Sequence, residues 1–330
     1  MKVIAIEEHI STKELLAWGQ AHQRNAKPFY DDVSEFLADV EKHRLPFMDE
    51  TNVARQILSV VNPTKFHLAD CTEVPDRERT KIAQKANDFL KSVTNAHPDR
   101  FSAFALLPLW DVPAAVDELT RCVQELGFKG ALVTGKFADH FLDEKQFVPL
   151  FKKAEELDVP VYFHPSMPVD AIRDYYYMSQ EGDWSNAVGM TFGTVAFGWH
   201  LDIGIQMVRM ILSGIFDVCP NLKLITGHWG ETMIAMLDRL DFMLPKKTTG
   251  LRKNISEYYK DNIYITPSGI HSTINLEATV KYLGADHILW AADYPYVREK
   301  DFTDFLLDSH LTAEEKELIA HKNAERLFKL

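Results

Sequence analysis

Eight short apolar runs, most of them rich in β-branched residues, alternate with amphipathic stretches along 330 residues, and ligand-type side chains gather at the ends of those runs. Together these observations predict an α/β chain folded as a (β/α)8 TIM barrel with helical insertions over its C-terminal rim. No linker, low-complexity tract or shorter internal repeat divides the sequence, so residues 1–330 are expected to form one domain.

The first run, Lys2 to Ile6, reads as a buried strand, and Glu7 and His9 leave its C-terminal end on one face because alternate residues of an extended chain point the same way. Residues 10–50 are too long for a tight connection and read as an insertion over one end of the sheet, with a helix near Val33 to Lys42. Ala54 to Val61 is the second strand, and Arg79 to Ala96 a helix with Ile82, Ala86, Phe89 and Val93 on one side. Phe101 to Leu107 is the third strand. Asp111, with Pro113 just behind it, starts a helix that Gly127 ends. Gly130 to Thr134 is strand four, Lys145 to Leu157 a helix, and Val159 to Phe163 strand five, running into His164-Pro165. Residues 166–195 read as a second, irregular insertion, followed by an apolar helix from Ile203 to Ser213. Leu222 to Thr226 is strand six, with Gly227-His228-Trp229-Gly230-Glu231 opening a helix to Phe242. Ile263 to Thr266 is strand seven, Ile274 to Leu283 its helix, and Ile288 to Ala292 strand eight, ending on Asp293. A capping box at Thr312 and Glu315 starts the closing helix to Phe328.

Composition narrows the function. With 36 Lys and Arg against 48 Asp and Glu, the net charge is -12. No basic cluster forms a track for phosphates, which argues against nucleic acid as a partner. Cys71, Cys122 and Cys219 are scattered and odd in number, so neither a disulfide framework nor a structural zinc knuckle is expected. With no leader-like start and no apolar run of about 18 residues, the expected setting is the cytoplasm, with no membrane partner.

In such a barrel, functional groups sit at the C-terminal ends of the strands. Glu7, His9, His164, His228 and Asp293 all fall there, whereas His43, His97, His287, His310 and His321 fall in helices or connections. Two carboxylates and two imidazoles, from Glu7, His9, His164 and Asp293, make a mixed oxygen and nitrogen set suited to one divalent metal ion, zinc or manganese. Glu231 stands three residues after His228, close enough to fix an imidazole tautomer for acid–base work; the plainer reading is a helix-start carboxylate beside a turn histidine. Arg239 either turns into the pocket as an anion anchor or pairs with Asp238 or Asp241 on the surface. Lys136 could in principle carry a carboxylated amine between two metals, but its place in a turn beyond strand four favours a single ion.

Ile-Glu-Glu-His at 6–9, Phe-Met-Asp at 47–49, Asp-Arg-Phe at 99–101, Leu-Gly-Phe-Lys-Gly-Ala-Leu at 126–132, Phe-His-Pro at 163–165, Gly-His-Trp-Gly-Glu at 227–231, Ala-Asp-Tyr-Pro at 292–295 and Asn-Ala-Glu-Arg-Leu-Phe at 323–328 span the chain in order. In these segments it resembles the amidohydrolase superfamily, in the branch of aromatic-acid decarboxylases related to aminocarboxymuconate-semialdehyde decarboxylase, with greatest similarity to γ-resorcylate decarboxylases. The resemblance implies that Glu7, His9, His164 and Asp293 bind one zinc or manganese ion, that His228 and Glu231 form an acid–base dyad, and that Arg239 holds the substrate. It implies nonoxidative decarboxylation of a hydroxybenzoate-type acid, with Asp293 protonating the ring carbon before carbon dioxide leaves, and a homo-oligomer, dimer or tetramer. Three places depart from the pattern: the shorter loop from Thr134 to Phe147, Ile270-His271, and Ser166, where an arginine can stand. All three fall at the pocket mouth and bear on which acid is accepted. The same rim chemistry would serve a metal-dependent hydrolase or hydratase acting on an amide, lactone or unsaturated acid.

Overall fold

The computed structural model describes residues 1–21, 33–61, 73–137 and 140–330; Cys71, part of the first insertion and the tip of the loop after strand four lie outside them. The apolar runs become β1 (Val3–Ile10), β2 (Val53–Val60), β3 (two pieces, Phe101–Ala103 and Ala105–Leu106), β4 (Ala131–Thr134), β5 (Val161–His164), β6 (Leu224–Thr226) and β7 (Ile263–Ile265). Each pairs in parallel with the next, the two pieces of β3 reaching β2 on one side and β4 on the other. The expected eighth strand is not a continuous ladder. Residues 288–292 are instead joined by single bridges, Ile288 to Ile265 and Trp290 to Ala5, which close the ring. Leu289 N–H donates to Ile265 O at 2.9 Å, and Ile6 N–H donates to Trp290 O at 3.0 Å.

Side chains alternate between two buried layers. Ile57, Phe104, Leu132, Tyr162, Ile225, Leu289 and Ala291 fill the barrel interior, where Ala324, Leu327 and Phe328 of the C-terminal helix join them. Their strand neighbours Leu58, Val133, Val161, Phe163, Leu224, Ile288 and Trp290 pack outward beneath the helices. The same period of two carries Ser59, His164 and Asp293 inward above the apolar layer.

β1 is the exception that makes the site. Ile4 and Ile6 belong to the interior cluster and Val3 and Ala5 to the outer one, so strict alternation would turn Glu7 and His9 outward. The register slips between Ala5, opposite Gln56, and Glu8, opposite Leu58, so three steps on β1 match two on β2. This bulge points Glu7 and His9 into the barrel and Glu8 out of it, a use of bulges common beside active sites. The strand also runs on to Ile10, so both residues lie within β1 rather than after it.

The helices form where their end signals stand. Asp111 accepts from Ala114 N–H to cap Val112–Gln124, Gly127 takes the left-handed φ of +76° just beyond it, and the Thr312–Glu315 capping box is formed. Other expectations change. The helix of the first insertion is Val33–Leu37, accompanied by Lys13–Ala21 and Arg44–Glu50, and the second insertion contains the short helices Asp170–Tyr176 and Asn186–Thr191 rather than irregular chain. The next helix begins earlier than its apolar run suggests, at Gly198, and continues to Leu212.

Arg44 is fully buried and ties the first insertion to the rim. Its guanidinium donates to the His9 carbonyl and, at 3.0 Å, to Gln56 Oε1, and it lies 4.5 Å from the centre of the Tyr294 ring. Gln56 Nε2 donates to Glu8 Oε2 at 2.9 Å, while Glu8 Oε1 accepts from Ala292 N–H at 2.9 Å. A continuous polar strut therefore links β1, β2 and the chain entering Asp293, behind the layer that faces the pocket.

Candidate metal centre and acid–base site

Three ligand atoms converge from β1 and β5: Glu7 Oε1, His9 Nε2 and His164 Nε2 lie within 4.8 Å of one another. His164 Nε2 is 3.4 Å and His9 Nε2 4.0 Å from Glu7 Oε1, and Asp293 Oδ1 approaches His9 Nε2 to 3.2 Å. Donors bound at about 2.0–2.2 Å in tetrahedral array around a divalent ion are about 3.4 Å apart, so these spacings suit one such ion. Glu7 Oε1, His9 Nε2 and Asp293 Oδ1 are buried and have no hydrogen-bond partner. Buried polar atoms without partners are rare in folded proteins, and three aimed at one point fit a cation.

The surroundings prepare each group for that role. His9 Nδ1 is 3.0 Å from Ser59 Oγ, and His164 Nδ1 donates to the Pro165 carbonyl at 2.8 Å, which leaves the Nε2 lone pair of His164 facing the site. Burial lowers the pKa of both imidazoles to about 4, helped at His9 by Arg44 and at His164 by His9, so both are neutral at pH 7 as ligands must be. Glu7 Oε2 accepts from Tyr162 and Ser268 hydroxyls. Burial opposes ionisation of Glu7, but the charge of His228 and the Ser268 hydroxyl outweigh it and keep its pKa below the ordinary carboxylate value. Burial and the charge of Glu7 instead push Asp293 well above that value, a repulsion that a cation would relieve. Gly227 packs close here: a Cβ would stand 3.0 Å from both Glu7 Oε2 and the Tyr162 hydroxyl, so those side chains would have to give way.

His228 and Glu231 follow β6 in a turn that departs from the expected right-handed helix. His228, Trp229, Gly230, Glu231 and Thr232 all have positive φ, between 47° and 73°. Right-handed backbone returns in a 3-10 turn at Met233–Met236, which runs into the α-helix Leu237–Met243. Each non-glycine residue in this conformation costs roughly 1–2 kcal/mol. Packing and hydrogen bonds fix the turn: Trp229 Nε1 donates to Ile270 O at 2.7 Å, Trp229 N–H to Thr266 O at 2.9 Å, and the Tyr259 hydroxyl to Gly230 O at 3.2 Å. His228 Nδ1 sits 2.8 Å from Glu231 Oε1, and Glu231 is fully buried. Burial works against a charged imidazole, but Glu231, then Glu7 and Asp293, overcome it and raise the His228 pKa to about 9.

The other singled-out residues separate from this core. Arg239 is exposed on Leu237–Met243, and no ion pair or hydrogen bond to it is found among the described residues; Asp238 is bonded by Tyr282, and Asp241 by Ser256. Lys136 pairs with Asp202 at 2.6 Å, which occupies its ammonium and leaves it out of the metal set. Ser166 is buried with an unpartnered hydroxyl, and His271 stacks on Phe305. Cys122 and Cys219 are buried free thiols. Ser59, Tyr162, Ser268, Gln56 and Arg44 carry no motif signal in the sequence, whereas Glu8 stands within Ile-Glu-Glu-His. His200, whose Nδ1 lies 2.7 Å from Glu231 Oε2, carries none either.

A profile of the amidohydrolase family matches residues 33–330. The chain belongs to that family. It is 32% identical to a γ-resorcylate decarboxylase of Polaromonas sp. strain JS666 over 337 residues, 99% of this chain and 98% of the relative. The crystal structure of the dihydroxybenzoic acid decarboxylase of that strain, with bound manganese and the inhibitor 2-nitroresorcinol, covers all of this chain and 97% of its own with a TM-score of 0.85 and 29% identity. The 5-carboxyvanillate decarboxylase of Sphingomonas paucimobilis covers 100% of this chain and 99% of its own, at a TM-score of 0.89 and 28% identity. These likenesses to solved structures span the whole barrel, including both insertions.

Proposed function

We propose that the protein is a metal-dependent, nonoxidative decarboxylase of a hydroxybenzoate-type acid, a carboxy-lyase. The observation that carries this reading is the convergence of Glu7, His9, His164 and Asp293, with buried atoms left unpartnered, in a chain similar over its length to enzymes of that chemistry. Glu7, His9, His164 and Asp293 would hold one divalent ion, manganese or zinc. When bound, it supplies Lewis acidity toward the acid's oxygens.

The protein's own groups do the rest. Asp293 carries the proton: its carboxyl transfers hydrogen to the ring carbon that bears the carboxylate, a C–H bond forms, and the carbon–carboxylate bond breaks with its electron pair returning to the ring as carbon dioxide departs. His228, kept protonated by Glu231, lies on the same rim and can hold negative charge on the acid or return a proton to Asp293. Arg239, exposed on its helix, would anchor the acid's carboxylate. The reading is tested by incubating the manganese- or zinc-loaded protein with a panel of hydroxybenzoates and measuring carbon dioxide. Release from an ortho-hydroxylated acid, reduced about 10²–10⁴-fold in a folded Asp293→Asn variant, is expected. Turnover confined to lactones or amides would overturn it in favour of a hydrolase.

Among the described residues no helix is long and apolar enough to cross a membrane. We place the enzyme in the cytoplasm as one 330-residue unit and as a homo-oligomer. Tyr175, Tyr176 and Phe242 are each more than 60% exposed, which favours their burial against a second copy.

A further inference from the structure

Glu231 is gripped by two histidines, and the proposed chemistry uses only one of them. His228 Nδ1 lies 2.8 Å from Oε1 and His200 Nδ1 2.7 Å from Oε2, with the two rings 4.4 Å apart between centres. The carboxylate has no solvent exposure, so both oxygens depend on these partners. An ionised carboxylate only accepts, so each imidazole presents Nδ1–H to it. The far nitrogen of His200 faces the Trp199 indole N–H and the Val195 carbonyl, both at 3.1 Å, so it has a partner whether or not it carries a proton. His200 reaches this place because its helix begins at Gly198, directly after the second insertion.

We propose that His200 is a positioning residue that holds Glu231 for His228. By satisfying Oε2, it keeps Oε1 and the negative charge directed at the imidazole on the rim. Without that N–H, one buried oxygen loses its partner, and the left-handed turn carrying both Glu231 and His228 loses a hydrogen bond to Gly198–Leu212. The three side chains also have the composition of a metal site, with ligand atoms within 4.8 Å of one another. Their Nδ1 atoms are, however, engaged on the carboxylate at hydrogen-bond distance, which assigns them to a hydrogen-bonded triad.

The inference rests on the reading of His228 and Glu231 as the acid–base pair, and the test separates the two. Steady-state kinetics and metal content are measured on the metal-loaded enzyme and on His228→Ala, His200→Leu, His200→Asn and His200→Gln. Asparagine can place an amide N–H where Nδ1 stands, whereas glutamine places it where Nε2 stands. His200→Leu is expected to lower kcat about 10–100-fold with KM within about twofold and one metal retained, and His200→Asn to recover most of that loss while His200→Gln does not. Should the leucine variant fail to fold, the asparagine and glutamine pair decides. Wild-type kcat in both polar variants, a change confined to KM, or loss of a second equivalent of metal would overturn the role of His200. Full activity in His228→Ala would overturn the acid–base reading instead.

Discussion

His228, Glu8 and Asp293 all hold protons in the folded protein to higher pH than an unfolded chain does, where the carboxyls have lost theirs well below neutrality and the imidazole loses its near pH 6.5. Burial is the main cause at Glu8, raising its pKa to about 8 against the Ala292 N–H and Arg44, and it raises Asp293 with the help of Glu7. At His228 burial is overcome by Glu231, to about 9. His9 and His164 are neutral in both states above pH 6.5 and drop out. Between pH 6.5 and 9 the native state therefore binds more protons than the unfolded one, and stability must fall as pH rises. The metal-free protein is expected to lose on the order of 4 kcal/mol across that window. Urea midpoints at pH 6.5 and 9 check this, and a rising midpoint would contradict the assignments. Arg239→Met belongs to the same scale. It is expected to raise KM for the acid with metal content unchanged; an unchanged KM would return Arg239 to a purely surface role.

Among the elements, the helix Arg44–Glu50 matters beyond its length, because Arg44 is the far end of the strut that reaches Glu8 and Ala292. Arg44→Met leaves the His9 carbonyl and Gln56 without a buried donor and is expected to destabilise the fold by about 3–5 kcal/mol, read as a lowered denaturation midpoint. The order of elements was legible because apolar runs, Asp111 with its proline, Gly127 and the Thr312–Glu315 box are local signals. The departures are not local. Residues 288–292 look like any buried strand, and only their neighbours reduce them to single bridges. Gly-His-Trp-Gly-Glu reads as a helix start, and it is held left-handed by contacts from distant residues, Tyr259, Thr266, Ile270 and His200. The kinship of Glu7 with His9 survives from sequence because both alternate together, yet which face they take depends on a bulge that only pairing with β2 reveals. His200 was hidden in an aromatic run with no spacing signal toward Glu231.

For the molecule as a whole, the C-terminal helix packs Ala324, Leu327 and Phe328 against the apolar layer of the barrel interior, and the ligand groups lie at the C-terminal ends of the strands. The second insertion carries exposed Tyr175, Tyr176, Trp184 and Val188, and Phe242 is exposed on the helix after the left-handed turn. Light scattering is expected to give a mass of two or four chains for the native protein, and a smaller one for a Tyr175→Glu/Phe242→Glu variant. A monomeric native protein would remove the assembly from the proposal.

The slip in β1 has an evolutionary corollary. One supernumerary residue sets the phase of the pleat, so loss of a single codon there would turn an acid and an imidazole to the opposite side of the strand while leaving every motif recognisable. A descendant altered in that way would still score as kin by its letters, yet be unable to hold the cation.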